Sequence, residues 1–199
     1  MARNRSLDGD VNVAEEILDG AMRLFNELGY DATSIRDLAE ASGISSSTLY
    51  HHYKNKQEIL YTGLRRFMEN FNKVIIPVLQ NLDESPTERV MHASRLHIEL
   101  SIERAMELRH VRQFKASLTE QQLQDLLDMQ WDYQGALKDV IKIGCASGEF
   151  TVADLGLTTM AIMDMLNGVR GWYSSLGPMS MDEITNYYAG LVRKTLSPA

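Results

Sequence analysis

The sequence predicts an all-α fold: a three-helix, helix-turn-helix domain over residues 1–55, then a larger helical domain over residues 56–199. Three observations point there. Apolar residues recur every three or four positions along most of the chain, and no segment alternates with the period of a strand. Local capping pairs punctuate that pattern, among them Ser34 with Asp37, Asn55 with Glu58 and Ser180 with Glu183. Residues 34–56, SIRDLAEASGISSSTLYHHYKNK, fold two short amphipathic helices about Gly43.

The opening MARNRSLDGD is polar and predicts a disordered arm. A solvated tail is its ordinary role; the alternative is that Arg3 and Arg5 reach into a nucleic-acid minor groove. From Val13 to Leu28 the residues Ile17, Ala21, Leu24, Phe25 and Leu28 form a helical stripe, ended by Gly29. Tyr30 lies in the turn that follows.

Ser34 caps the next helix, whose apolar face is Ile35, Leu38 and Ala39. Ala39 is small where two helices cross, and Gly43 supplies the positive φ of a tight turn. Ile44 and Leu49 fasten the second short helix. Ser45, Ser46, Ser47, Thr48, Tyr50, His51 and His52 are left pointing outward, followed by Lys54 and Lys56. Hydroxyls, rings and ammonium groups on one face suit base edges and phosphates. The same pattern also fits an ordinary helical hairpin with a polar surface.

Residues GYDATSIRDLAEASGISSSTLYHHYKNKQEIL resemble the DNA-binding segment of TetR-family transcriptional regulators. That family shows Thr/Ser-x-Arg-x-Leu/Ile-Ala, then Gly-Val/Ile, Leu-Tyr-x-His/Tyr-Phe/Tyr and Lys-x-Lys, and the match runs from about Ile17 to Leu64. The resemblance implies an all-helical, homodimeric regulator, most often a repressor. Arg36 is the candidate for a guanine contact, since its fork matches O6 and N7. Ser46, Ser47, Thr48 and Tyr50 are expected to face bases or the sugar-phosphate edge, and Ser34, His52, Lys54 and Lys56 to grip phosphates.

Beyond the head, Asn55 and Glu58 open a long helix carrying Leu60, Leu64, Phe67, Phe71, Val74 and Val78, with Pro77 bending it or bringing it to its end. Ser85-Pro86 starts another helix to about Leu108, and residues 109–117 form a short segment. Thr119 caps a helix from Glu120 to about Ala146, Asp154 one to about Tyr173, and Ser180 the last, to about Leu196. Leu157 to Trp172 is apolar nearly all round, which predicts burial on both sides. With the stripe Ile184, Tyr187, Tyr188, Leu191 and Val192 it predicts a four-helix dimer interface, through Leu166, Trp172, Ile184, Tyr188 and Leu191. The family resemblance implies the same.

The helices between about residues 85 and 175 are expected to enclose an apolar ligand cavity. Met91, Met106, Met129, Met160, Met163 and Met165 concentrate there, and thioether side chains adapt to varied apolar shapes. His97, Gln113, Met129, Met163, Asn167 and Arg170 are the expected ligand contacts. A few polar groups converging in an apolar cavity make a small-molecule site. GEFTVADLGL and NGVRGWYSSLGPMSMDEI further resemble the C-terminal segment of TetR-type repressors of fatty-acid and sterol-side-chain breakdown, which respond to acyl-CoA thioesters. Trp172, Tyr173, Gly177, Pro178, Ser180 and Glu183 stand in register. Ser174-Ser175-Leu176 replaces an Arg-Pro pair common in that subgroup, so a cation for a CoA phosphate is missing there.

Composition narrows the rest. With 199 residues and 44% apolar content the chain can bury a core. It has no run of about 18 apolar residues and no secretory h-region, so neither a membrane span nor export is expected. The lone Cys145 forms no intramolecular disulfide, suits a cytoplasmic setting and reads as a buried thiol. Residues 1–60 hold six basic and ten acidic side chains, so non-specific attraction to phosphates is weak and contacts must be local. Catalysis is not expected. The serine run lacks a Gly-x-Ser-x-Gly elbow, His92 and His97 do not share a helix face, His110 stands alone, and Asp125 and Asp128 read as solvated charge. No cofactor is expected. The expected partners are operator DNA, a hydrophobic effector and a second copy. Two alternatives stay open: a ligand-induced activator, and a small-molecule binding protein whose head no longer binds DNA.

Overall fold

The computed structural model describes the backbone of residues 4–103 and 116–197, with side chains from Val13 onward except Glu103. Arg3, the Arg5 side chain, Met106, His110, Gln113 and most of the segment 109–117 lie outside the described residues. Those described form eight helices and no strand: α1 (Asn4–Leu28), α2 (Ile35–Ala41), α3 (Ser46–His52), α4 (Lys56–Gln80), α5 (Pro86–Glu103), α6 (Glu120–Ser147), α7 (Leu155–Val169) and α8 (Met181–Leu196).

The caps fall where the sequence places them. Ser34 and Asp37 close a reciprocal box on α2, and Ser180 and Glu183 do the same on α8. The Asn55 side chain accepts from the Glu58 N–H at 2.8 Å, and Asp154 accepts from the Leu157 N–H at 2.7 Å. Gly43 adopts φ +66° at the inter-helix turn. Two ends differ from expectation. The backbone is helical from Asn4 rather than Val13, in a stretch too polar for an apolar stripe to mark. Once a helix is nucleated, each added residue gains a hydrogen bond without a new nucleation cost. The penultimate helix stops at Val169, so Trp172 and Tyr173 lie in the turn beyond it.

The chain divides into two compact units, Met1–Phe67 with Met106–Leu126, and Met68–Ala105 with Leu127–Ala199. The first unit therefore extends past residue 55, taking in the early turns of α4 and of α6. Its core is Ile17, Leu18, Ala21, Met22, Phe25, Leu38, Leu49, Ile59 and Leu60, all buried. Each such large side chain contributes roughly 1.5–3 kcal/mol on removal from water. Helix α1 packs on α2, and α2 on α3. Gly63 lets α4 close on Met22, where an added Cβ would lie 2.5 Å from the sulfur. Arg66 pairs with Asp19.

In the second unit α8 packs along α5, which also meets α7. Ile98, Leu137, Ile141, Ile162, Leu166, Ile184, Val192 and Leu196 fill the space between. Arg95 Nε donates to Asn186 Oδ1 at 2.8 Å, and Thr87 Oγ1 to Glu149 Oε2 at 2.8 Å. Gly148, at φ +80°, turns the chain out of α6 so that Phe150 folds back over Gly144. Cys145 is half-buried.

Candidate nucleic-acid interface and buried polar cluster

Helix α3 is short, and its geometry rests on Ser45. The Ser45 hydroxyl accepts from the Thr48 N–H at 3.1 Å and lies 2.7 Å from Ser47 Oγ and 2.9 Å from Thr48 Oγ1. One side chain thus caps the helix and fixes two hydroxyls on its outer face. Leu49 is fully buried and pins the opposite face. Tyr50 is 54% exposed, Ser47, Thr48 and His51 are exposed, and Ser46 and His52 are half-buried. Arg36 stands exposed on α2. Ser34 is already occupied, accepting from the Asp37 N–H and donating to its carboxylate at 2.7 Å. Those hydrogen bonds hold the Asp37 carboxyl below its usual range.

Lys56 is a correction. Its ammonium donates to the carbonyls of Tyr30 at 2.7 Å and Thr33 at 2.9 Å, and sits 4.2 Å from the Tyr30 ring centre. It ties the start of α4 to the turn before α2, which takes up two of its three N–H donors. Lys54 keeps an exposed side chain, while its backbone N–H donates to Glu58 Oε2 at 2.7 Å. Lys56→Ala is therefore expected to cost the head about 2 kcal/mol, as befits a charged donor to two carbonyls. Urea unfolding checks it. The salt dependence of DNA binding should stay unchanged in Lys56→Ala and flatten by about one unit of slope in Lys54→Ala.

Asp125 is also not a simple solvated charge. It accepts from the Tyr61 hydroxyl at 2.7 Å and from Gln121 Nε2 at 3.0 Å, and these hydrogen bonds lower its pKa. With Gln57 Nε2 donating to Ser117 O at 2.8 Å, it binds the first turns of α6 to the first turns of α4.

In the second unit, His97 is 2% exposed, and its Nδ1 lies 3.0 Å from the Tyr133 hydroxyl. Phe71 packs edge-on against both rings, with centroids 5.2 and 5.4 Å away. Burial, then the nearby Arg170 charge, pulls the imidazole down to about 3, so it is neutral at pH 7. Burial pushes the Tyr133 phenol up. The Asn167 side chain approaches the imidazole, yet Nε2 has no hydrogen-bond partner among the described residues. Arg170 caps α7, and partial burial lowers its pKa. Of the expected ligand contacts, His97, Asn167 and Arg170 come together. Met163 is 7% exposed on α7, and the carbonyl of half-buried Met129 accepts from Asn72 Nδ2 at 2.8 Å.

The expected dimer residues separate. Leu166 and Ile184 are buried within the chain, at 1% and 2% exposure, and so are core residues rather than interface. Trp172 is 54% exposed, while Tyr188 and Leu191 are half-buried. Leu157, Met160 and Tyr187, at 63%, 47% and 62%, add to an outward apolar face of α7 and α8. Burial of α7 is thus one-sided within the chain.

Residues 17–61 match the family model for bacterial regulatory proteins, tetR family, and residues 83–196 match the tetracyclin repressor-like C-terminal domain. The chain belongs to the TetR family. As a TetR-family protein it is a helix-turn-helix, DNA-binding transcriptional regulator. It is 27% identical over 185 residues to the transcriptional repressor KstR2 of Mycolicibacterium smegmatis, covering 89% of this chain and 87% of that one. The TetR-family regulator PfmR of Thermus thermophilus superposes with a TM-score of 0.80 at 28% identity, over 92% of this chain and 99% of that one. AibR, solved with isovaleryl coenzyme A and operator DNA, gives a TM-score of 0.81 at 22% identity, over 90% and 97% of the two chains, and so shares the fold.

Two partners in this TetR-family chain go beyond what the sequence reading assigns. Ser45, expected as a surface hydroxyl, is a cap, and a serine three positions before Thr48 at a helix start is the signal for one. Tyr133, the partner of His97, sits on the α6 stripe with Leu137 and Ile141, where a phenol on an apolar face signals a buried hydrogen bond.

Proposed function

We propose that the protein is a homodimeric repressor that leaves a palindromic operator when a hydrophobic acyl compound, of the acyl-CoA class, binds its second unit. The observation that carries the DNA half is the outer face of α3, where the Ser45 cap orders the Ser47 and Thr48 hydroxyls while Leu49 anchors the back. Ser46, Ser47, Thr48 and Tyr50 meet bases or the sugar-phosphate edge; His52 and Lys54 meet phosphates; Arg36 reads a guanine. Two heads then occupy major grooves about 34–36 Å apart, or further. The outward apolar face at Leu157, Met160, Trp172 and Tyr187 supports the dimer. The isovaleryl coenzyme A bound to AibR supports the acyl class, together with the buried polar cluster around His97. The role is regulatory rather than catalytic, and it is exercised in the cytoplasm, where the DNA is; no described helix is long and apolar enough to cross a membrane.

The test is a gel shift of the chain's own upstream DNA, with medium-chain acyl-CoA or free coenzyme A added. Release by the acyl thioester alone is expected; retention with both sinks the acyl reading. Arg36→Ala should lose about 1–3 kcal/mol of operator affinity and relax preference at one base pair. An unchanged base preference in a randomised-site selection refutes the guanine contact.

A further inference from the structure

The cluster around His97 has a polarity that can be worked out. A buried phenol that accepted from Nδ1–H would leave two groups unmatched, its own hydrogen and the Nε2 lone pair, whereas a phenol that donates leaves only the Nε2–H, which is the less costly arrangement. Tyr133 OH therefore donates to Nδ1 across the 3.0 Å contact, which puts the ring hydrogen on Nε2. That Nε2–H is buried with no partner among the described residues. Arg170 is a half-buried guanidinium, and among the described residues no carboxylate pairs with it. Asn167, one helical turn before Arg170, brings an amide beside the same imidazole. The cluster thus runs from a fully buried neutral donor to a half-exposed cationic one, with no paired anion among the described residues. In a low-dielectric interior, unmatched donors of this kind call for an oxygen acceptor.

We propose that His97 Nε2, Asn167 and Arg170 form the seat for an acyl oxygen of the effector, either a thioester carbonyl or a free carboxylate. This rests on the acyl reading above and adds which atom of the ligand is recognised. Phe71 packs edge-on against the imidazole and the Tyr133 hydroxyl fixes its tautomer, so the donor is set before the ligand arrives. A ligand with the same chain but no acyl oxygen leaves Nε2–H unmatched, and the site discriminates against it.

Calorimetric titration with octanoyl-CoA, its S-octyl thioether analogue, octanoate and 1-octanol tests this. The wild-type chain is expected to prefer octanoyl-CoA to the thioether, or octanoate to the alcohol, by about tenfold or more. Which pair shows the preference identifies the oxygen as thioester or carboxylate. His97→Phe keeps an aromatic ring against Phe71 and should erase the preference. Arg170→Gln lies outside the packed core and should reduce the preference, which keeps the test decisive if His97→Phe folds poorly. Equal wild-type affinity within both pairs, or a preference that survives both substitutions, overturns the seat alone. Binding of none of the four compounds overturns the acyl reading, and the seat with it.

Discussion

Gly144→Ala is expected to destabilise the protein by about 2 kcal/mol, although alanine is the better helix former by about 1 kcal/mol. Gly144 is buried in α6, and a Cβ there would lie 2.1 Å from Phe150 Cδ2 and 2.3 Å from Cε2. Phe150 has little freedom to retreat. Its N–H donates to Gly144 O at 3.0 Å, Thr151 N–H donates to Leu196 O at 2.9 Å, and the ring is 4% exposed. Either the ring leaves the core, forfeiting roughly 1.5–3 kcal/mol of burial, or the α6 backbone shifts. For a chain of this size the loss corresponds to a fall of roughly 4–8 °C in melting temperature. Gly135 lies in the same helix with nothing within 4 Å of its added Cβ, so Gly135→Ala is expected to raise the melting temperature. Thermal melts of the two variants decide the matter; equal stability of Gly144→Ala and wild type means that Phe150 does not hold the end of α6.

Met160→Glu combined with Tyr187→Glu is expected to give a folded monomer whose operator affinity falls by roughly a hundredfold or more. Both side chains are exposed on the second unit, at 47% and 62%, so the carboxylates cost little intrachain packing beyond the edge-on contact of Tyr187 with Tyr188. In a two-fold interface built on this face, four carboxylates would be buried without partners, and buried unpaired charges at an interface cost several kcal/mol. The second head's contribution depends on its tether to the first, and avidity of that kind amounts to roughly 10²–10⁴ in affinity. Sedimentation velocity reads the mass and a gel shift reads the affinity. A double variant that still sediments as a dimer places the interface elsewhere.

The parts of the molecule visible in the sequence are those that local chemistry decides. The α2 and α8 boxes join residues three positions apart, Gly43 needs only its own φ, and the all-helical fold follows from an apolar spacing that neighbours enforce. What the sequence hides is set at long range. Lys56 resembles a phosphate ligand because its partners, Tyr30 and Thr33, lie 26 and 23 positions back. Asp125 reads as solvated because Tyr61 is 64 positions away. Leu166 and Ile184 suggest a dimer because periodicity reports burial without saying which chain does the burying. The exposed hydroxyls of α3 are legible residue by residue, but the Ser45 cap that orders them emerges only in three dimensions.

The inward docking of Lys56 has a consequence for how the regulator behaves in a living cell. Each phosphate neutralised by a basic side chain adds roughly 0.9 to the logarithmic dependence of DNA affinity on salt. With one lysine of the Lys54/Lys56 pair spent on backbone carbonyls, and ten acidic side chains among the first sixty residues, few counterions are released when a head docks. On the proposed contacts, promoter occupancy would rest mainly on hydroxyl and guanidinium contacts to bases, with Lys54 supplying the salt-dependent part. A bacterium whose internal potassium climbs under osmotic stress would keep these genes under control, leaving the switch to respond to its metabolite rather than to the weather outside.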